Sequence, residues 1–544
     1  MPDTMVQPST QPAGQLDALV IGAGFAGMYQ LHVLRDRMGL SVQVLEAADG
    51  VGGTWYWNRY PGARCDSESH CYSYSFSPEL EQDWEWSERY PQQPEILRYL
   101  NHVADRFDLR RNISFKQRVT SAAYDAAENL WHVTTESGET FSARFLITAV
   151  GCLSTANVAK IPGLETFQGK WYHTGQWPHE GVDFTGQRVG VIGTGSTAIQ
   201  AIPVIAEQAQ HLTVFQRTPN YSVPARNGPL SAEFQKYLKE NYRELRQKMK
   251  ETVNGFDFFI EDRSALETSE EERLALFEQA WERGGLRFRA TFRDIMLDKA
   301  ANDTAANFIR AKIRETVKDP VTAAKLSDID HPYAAKRPPI DTNYFETYNR
   351  DNVSLVDVRA APIECITPDG LQTKDGVYPL DIIVFATGFD AMTGPLLRMN
   401  ITGRDGRALK DAWDAGPKTY LGLQVPGFPN LFTITGPGSP SVLCNMPVAI
   451  EQHADFIADC IAHMRQNGLS TMEATPEATE QWVAKVNEAA SITLLPQAKH
   501  SWYLGANIPG KPRVFMPYAG GMARYRGICA DVAAKGYEGF ALSA

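Results

Sequence analysis

Apolar positions in this chain gather into short runs that end on glycine, and two of those runs are built alike. Leu19-Val-Ile-Gly-Ala-Gly-Phe-Ala-Gly27 and Val189-Gly-Val-Ile-Gly-Thr-Gly-Ser-Thr-Ala198 each read as a buried strand, a glycine turn and the first turn of a helix. One helix further on, each is followed by a second apolar run, Leu40 to Leu45 and Leu212 to Phe215. Strands are also expected at Leu130–Thr135 and Phe141–Ala149, around a turn at Gly138, and at 381–388, with Phe145 to Gly151 buried and closed by glycine. From about Pro219 to Lys336 the period changes to that of a helix. Ser231 starts a run carrying Phe234, Leu238, Tyr242, Leu245 and Met249 near one face. Ser269 and Glu272 fit a capping box ahead of Leu274, Phe277 and Trp281, stopped at Gly284-Gly285. A third run, Ala305 to Val317, stops at Asp319-Pro320.

The two glycine turns share one physical purpose. The first glycine allows a tight turn, the second lets backbone N–H groups approach a pyrophosphate, and a small third residue lets helix and strand pack closely. These residues are Gly22, Gly24 and Gly27 (with Phe25 opening the helix) in the first copy. In the second they are Gly193, Gly195 and Ala198, with Thr194 and Ser196 between them. The positive end of each helix then faces the phosphates. The copies differ where ribose is read. Glu46 closes the first unit's second strand, and a carboxylate there accepts from ribose hydroxyls and repels a 2′-phosphate, which suits FAD or NAD rather than NADP, and the first site is read as FAD. The second unit has Gln216, Arg217 and Thr218 at that place. A guanidinium and a hydroxyl suit the 2′-phosphate of NADPH. The fold class expected is therefore α/β: two Rossmann-like dinucleotide-binding domains, with a helical insertion in the second.

Composition narrows the class without changing it. Hydrophobic residues are 43% and charged residues 22%, as in a globular enzyme of several domains. A net charge of −11 argues against nucleic acid and anionic membrane surfaces as partners. Residues 1–15 read as a loose polar tail, not a signal peptide. The apolar stretch 189–206 contains Gly193, Gly195, Gln200 and Pro203, so it reads as strand, turn and helix rather than a membrane span. Seven scattered cysteines fit reduced thiols in a cytoplasm. No H-E-x-x-H, C-x-x-C or G-x-S-x-G occurs, so no metal is expected and the chemistry falls to cofactors.

Two further segments carry a family resemblance. Phe167-Gln-Gly169-Lys-Trp-Tyr-His173-Thr-Gly-Gln-Trp177-Pro178 matches F-x-G-x-x-x-H-T-x-x-W-P. Gly52-Gly53-Thr54-Trp55 through Tyr60-Pro61-Gly62 to Asp66 matches G-G-x-W-x-x-x-x-Y-P-G-x-x-x-D. With both dinucleotide units in order, the chain resembles the type I Baeyer–Villiger monooxygenases from about Leu16 to its end, and most of all their phenylacetone and steroid monooxygenase branch. Gly436 to Met446 and Gly505 to Arg513 carry the finer match. The resemblance implies the domain plan. Residues 1–152 are the first part of the FAD domain, 153–220 the first part of the NADP domain, 221–335 the helical insertion, 336–389 the rest of the NADP domain, and 390–544 the rest of the FAD domain with substrate loops. It also implies that NADPH reduces FAD, that dioxygen forms a C4a-peroxyflavin, and that this attacks a ketone to give an ester or lactone, with sulfoxidation as a side activity.

By the same resemblance Arg337 is the cation at the reaction centre and Asp66 its carboxylate partner. Lys336 joins Arg217 and Thr218 on the 2′-phosphate. Gly53, Thr54, Trp55 and Asp66 belong to the cofactor surface, and Trp502 to a loop near NADP. Ser441, Val442, Leu443 and Met446 line the substrate pocket, where apolar side chains suit a hydrophobic aryl, cyclic or steroid-like ketone. Phe167, Gly169, His173, Trp177 and Pro178 are assigned a hinge role away from the chemistry. A monomer or weak oligomer in the cytoplasm is expected, with dioxygen and ketone as partners. Taken singly, Asp66, Arg337 or His173 would read as a surface ion pair, a loop end or a packing residue. Cys65 and Cys71 have five residues between them, so a disulfide reductase pair, which needs four, is not expected. An amine or sulfide monooxygenase would lack the Asp66/Arg337 pair, and a redox-sensing module would leave that pair without a purpose.

Overall fold

The computed structural model describes residues 15–544. The expected tail falls outside these residues, except for Gln15, which opens the first strand. That strand, Gln15–Ile21, runs parallel to Val42–Leu45 on one side and to Thr140–Thr148 on the other. They form the centre of an eight-stranded sheet. Thr140–Thr148 is long enough to hold two partners on its outer edge. Residues 140–143 pair antiparallel with 131–134, and residues 146–148 pair parallel with Leu431–Thr433. The C-terminal part of the chain thus returns to the first sheet, and the helix Met446–Gln466 packs on the first glycine-turn helix, where the Tyr29 hydroxyl donates to Asp455 at 2.9 Å.

A second sheet of five parallel strands has the order Val353–Asp357, His211–Gln216, Arg188–Ile192, Ile382–Phe385, Lys170–His173. Its apolar strands are nearly continuous in burial, as expected of a parallel sheet covered on both faces.

The two units repeat one contact. Gly22 has φ +102°, its N–H donates to the Leu45 carbonyl, and a Cβ there would lie 2.6 Å from the Ala149 oxygen. Gly193 has φ +119°, its N–H donates to the Phe215 carbonyl, and its Cβ would lie 2.4 Å from the Ala386 oxygen. Each turn closes against the end of the neighbouring parallel strand, and only glycine fits.

Helices dominate between the strands Val223–Pro224 and Ile340–Asp341, which pair with each other in parallel. Ser231 caps Ala232–Glu251 by accepting from the Phe234 N–H, and Ser269 caps Glu270–Arg283 by accepting from Glu272 N–H. Gly284, at φ +71°, ends the latter. The third run begins earlier than the apolar period suggested: Lys299–Thr316 starts on Asp298, whose carboxylate accepts from the N–H groups of Ala300 and Ala301. Asp319 caps a further helix, Pro320–Ser327. Phe277, Phe288, Phe292 and Phe308 stack into one aromatic core that holds this block together.

Candidate active site

Neither glycine-turn helix is capped by a side chain at its start. The first-turn N–H groups are therefore free to receive phosphate oxygens. In the first unit, Gly24 meets Gly53 backbone to backbone, with a Gly24 Cβ 3.4 Å from the Gly53 Cα. The motif Gly52-Gly53-Thr54-Trp55 thus roofs the turn, and Thr54 remains exposed above it. Phe25 and Trp55 are buried beneath, each edge-on to the Tyr72 ring, and the Trp55 indole donates to the Tyr72 hydroxyl at 3.1 Å. Gly27 has no room for a Cβ, which would sit 1.7 Å from the Gly22 oxygen.

Glu46 is buried and accepts from the Ala23 N–H at 2.6 Å and the Ala48 N–H at 2.8 Å. Burial pushes its pKa up against the pull of these two donors. A carboxylate accepts about four hydrogen bonds, so capacity for ribose hydroxyls remains. These residues fit FAD.

The second unit fits NADP in the same way. Nothing lies within 4 Å of a Gly195 Cβ, and Gly195 and Ser196 are exposed. Thr194 is buried and its hydroxyl donates to the Thr218 carbonyl at 2.8 Å, which fixes the strand end that carries Arg217. Gln216 turns inward and donates to the Lys325 carbonyl at 3.1 Å, leaving exposed Arg217 and half-buried Thr218 as the groups on the surface. Lys336 comes from the far end of the helical block to the same place. Burial lowers its pKa to about 8; Asp330 pulls it up and Arg217 pushes it down. His500 senses Arg217 and Lys336 too, and its pKa is lowered by burial and by both cations. His500 was not expected here; only spatial assembly shows it.

The Tyr60-Pro61-Gly62 segment docks on the second unit. The Tyr60 hydroxyl donates to Gln200 Oε1 at 2.7 Å, Gln200 Nε2 donates to the Arg64 carbonyl at 3.1 Å, and a Cβ on Gly62 would stand 2.3 Å from the Gln200 carbonyl oxygen. A motif that looked like part of one cofactor site is thus also the contact between two.

Asp66 follows on this segment and meets Arg337 in a two-pronged pair. Arg337 Nε donates to Oδ2 at 2.5 Å and Nη2 to Oδ1 at 2.8 Å. The third prong, Nη1, donates to the Val442 carbonyl at 2.9 Å. Burial works against the guanidinium charge, but Asp66 outweighs it and holds the pKa above the usual arginine value. The result is a cation fixed on three sides that keeps its proton at every working pH. Three distant parts of the chain meet here: the first cofactor motif, the end of the helical block and the C-terminal loop.

That loop departs from expectation at one residue. Ser441 does not face a pocket. It is fully buried at φ +42°, and its hydroxyl donates to the Thr435 carbonyl at 3.1 Å. The strained turn it makes is what presents the Val442 carbonyl to Arg337. Val442, Leu443, Met446 and Trp502 share one apolar cluster with Tyr503, Leu504 and Met516.

Lys170–His173 places the other motif at the edge of the second sheet, with Phe167 and Trp177 packed into two different apolar clusters. A Cβ on Gly169 would lie 2.3 Å from the Asp381 oxygen. His173 is buried, burial lowers its pKa, and its Nδ1 accepts from the Gly175 N–H at 3.0 Å, which leaves the proton on Nε2.

The sequence shows no metal-ligand spacing, yet folding gathers His70, Cys71 and Asp257. These are parts of an ion-pair network. Arg287 takes both oxygens of Asp257 at 2.8 and 3.1 Å, and Arg89 and Arg287 both bond Glu68. Burial opposes charge on His70, but Cys71, Asp257 and Glu68 together raise its pKa to about 10. Arg89, Arg287 and protonated His70 already outnumber the carboxylates of Glu68 and Asp257. All seven cysteines are free.

Two dinucleotide-binding units that converge on a fixed guanidinium define a flavoprotein oxidoreductase that takes electrons from NADPH. Comparison with known proteins narrows this. Residues 19–267 match the pyridine nucleotide-disulphide oxidoreductase family. A Baeyer–Villiger monooxygenase of Pseudooceanicola batsensis is 47% identical, over 96% of this chain and 95% of its own. Oxidized steroid monooxygenase bound to NADP superposes with a TM-score of 0.93 at 54% identity, covering 97% of this chain and 99% of the other. OTEMO in complex with FAD and NADP superposes at 0.94 with 45% identity, over 98% and 100%. The chain belongs to the Baeyer–Villiger monooxygenase family and uses FAD and NADP. Among the described residues no helix is long and apolar enough to cross a membrane.

Proposed function

We propose that Arg337 and Asp66 form the reaction centre, with Val442, Leu443 and Met446 forming the wall against which a hydrophobic aryl, cyclic or steroid-like ketone lies. When bound, the nicotinamide supplies hydride and the flavin activates dioxygen. The protein's own part is electrostatic and geometric. Oxygen insertion beside a carbonyl passes through negative charge on oxygen. A guanidinium aimed at that charge in advance stabilises it without reorganisation. Asp66 orients Arg337 and, by holding its proton, prevents it from acting as an acid. The Val442 carbonyl ties the guanidinium to the substrate loop, so the cation and the ketone move together.

Arg217, Thr218 and Lys336 select the 2′-phosphate; Glu46 with the roof of Gly53, Thr54 and Trp55 selects FAD; and Trp502, packed against the apolar cluster, is assigned to a loop near NADP. We assign the 167–178 segment to coupling between the units, and the segments 153–220 and 336–389 to one NADP domain interrupted by the helical insertion. An oxidant that attacks a ketone also attacks sulfur, so thioethers are side substrates. The net charge of −11 and the unpaired thiols support a cytoplasmic monomer or weak oligomer that binds neither nucleic acid nor membrane.

The observation that carries this reading is the three-pronged fixation of Arg337 by Asp66 and Val442. Arg337→Ala tests it. The expected result is a flavin still reduced by NADPH but ester formation slowed by at least about 10²-fold, the scale of losing one preorganised donor at a developing oxyanion. Ester formed at the normal rate overturns the assignment.

A further inference from the structure

We propose that Arg289 and Tyr333 form an anion-receiving subsite beside the reaction centre, and that the enzyme takes keto acids, in which an apolar body carries a ketone to Arg337 and a carboxylate to Arg289. This deepens the functional reading above and rests on it.

The turn Gly285–Ala290 has the sequence Gly-Leu-Arg-Phe-Arg-Ala. Phe288 is fully buried against Phe277, Phe308 and Tyr333, which pins the turn and sends its two arginines different ways. Arg287 is fully served: both Asp257 oxygens accept from it, and Glu68 does so at 3.3 Å. Arg289 is partly buried, yet among the described residues it has no hydrogen bond, ion pair or ring contact. Burial lowers its pKa, and the groups it senses are Tyr333, Tyr503 and Arg337. Both tyrosines are neutral at pH 7, since burial pushes Tyr503 up to about 12 and Tyr333 higher. The full charge in reach of Arg289 is therefore Arg337, of the same sign, whose own carboxylate Asp66 is already engaged on both oxygens.

A second observation points the same way. Tyr333 is 0% exposed, and its hydroxyl has no hydrogen-bond partner. The Tyr333 ring packs edge-on at 5.6 Å against Phe288, the residue before Arg289, and a guanidinium and a phenol on neighbouring positions, each without an acceptor, are complementary to a carboxylate, which accepts from both at once. Arg289 is not part of the cluster assigned to the 2′-phosphate of NADP: the groups sensed by Lys336 and His500 there include Arg217 and Asp330 but not Arg289. Nor is it needed for the ketone oxygen, which belongs to Arg337. Next to the apolar cluster of Val442, Leu443, Met446 and Tyr503, this cation ranks substrates by charge where shape alone would rank them weakly.

The test compares a neutral aryl-butanone with the same molecule bearing a carboxylate on its ring. Dissociation constants are measured by calorimetry on the enzyme with FAD and NADP⁺ bound, for the natural protein, Arg289→Leu, Arg289→Lys and Tyr333→Phe. The expected result is binding of the keto acid at least about tenfold tighter than the neutral ketone, about 1.4 kcal/mol. That ratio falls to about one in Arg289→Leu, is partly kept in Arg289→Lys, and is reduced in Tyr333→Phe. A ratio near one in the natural protein, or a ratio unchanged in Arg289→Leu, overturns the proposal. Product analysis with the neutral ketone alone separates the two levels, because an ester from it upholds the oxygenation chemistry whatever the ratio.

Discussion

At the scale of single residues, the site works by holding charges where reaction and cofactor need them. Lys336 makes this measurable. Its pKa of about 8 belongs to the protein without phosphate beside it. A bound 2′-phosphate favours the protonated form, so binding above pH 8 requires proton uptake and weakens as pH rises. KM for NADPH should therefore climb from about pH 8 upward, while KM for NADH, which lacks that phosphate, stays nearly flat. Parallel profiles for both nucleotides would contradict the role given to Lys336. Arg217→Ala should weaken NADPH by at least about tenfold and NADH far less, since it removes one charge-assisted partner of the phosphate. Equal losses would mean that Arg217 does not touch it. These residues were legible because their chemistry is carried by type and motif position. Arg289, Tyr333 and His500 were not legible, because an arginine without a partner looks the same in sequence as Arg287, which has three bonds.

At the scale of elements, glycines with the same motif role have different physical duties. Gly193 is held by the backbone: a Cβ would meet the Ala386 oxygen at 2.4 Å, at φ +119°. Gly193→Ala should destabilise the fold by roughly 1–3 kcal/mol, read as a lower denaturant midpoint. Gly195 has open space around its Cβ and φ −83°, so Gly195→Val should keep both fold and FAD content. Its side chain occupies the place of the pyrophosphate, and KM for NADPH should rise at least about tenfold. An unchanged KM would show that the phosphates lie elsewhere. Caps and turns repeat the lesson about legibility. Ser231 and Ser269 were readable from local pattern, and so was the Asp319-Pro320 stop. The start of Lys299–Thr316 was missed because Asp298 precedes Lys-Ala-Ala, where the apolar period has not begun. Ser441 was misread because its burial follows from a left-handed turn that residue type does not announce.

At the scale of the whole molecule, electrons must cross from one unit to the other, and where the first cofactor motif meets the second unit at Gln200 the contacts are polar. Gln200 bonds Tyr60 and Arg64, and Arg337 bonds Asp66 and Val442, so four segments far apart in sequence are tied together around residues 60–66. Gln200→Leu leaves the Tyr60 hydroxyl and Arg64 carbonyl without their partner, at a cost of about 1–3 kcal/mol at this contact. Each unit should stay folded, while anaerobic flavin reduction at saturating NADPH slows; an unaltered rate would show that the contact does not set the approach of the two cofactors. The duplicated architecture was open to a reader of the chain because a glycine turn between buried strands leaves few alternatives. The contact was not, since Gln200 sits mid-helix with nothing to mark it. The central claim is that this geometry inserts one atom of dioxygen beside a ketone carbonyl. The direct measurement is NADPH-driven turnover of a hydrophobic ketone under isotopically heavy dioxygen, with the product mass recorded. An ester or lactone carrying one heavy oxygen is the result expected. Unchanged ketone, with NADPH consumed into hydrogen peroxide alone across aryl, cyclic and steroidal ketones, would contradict it.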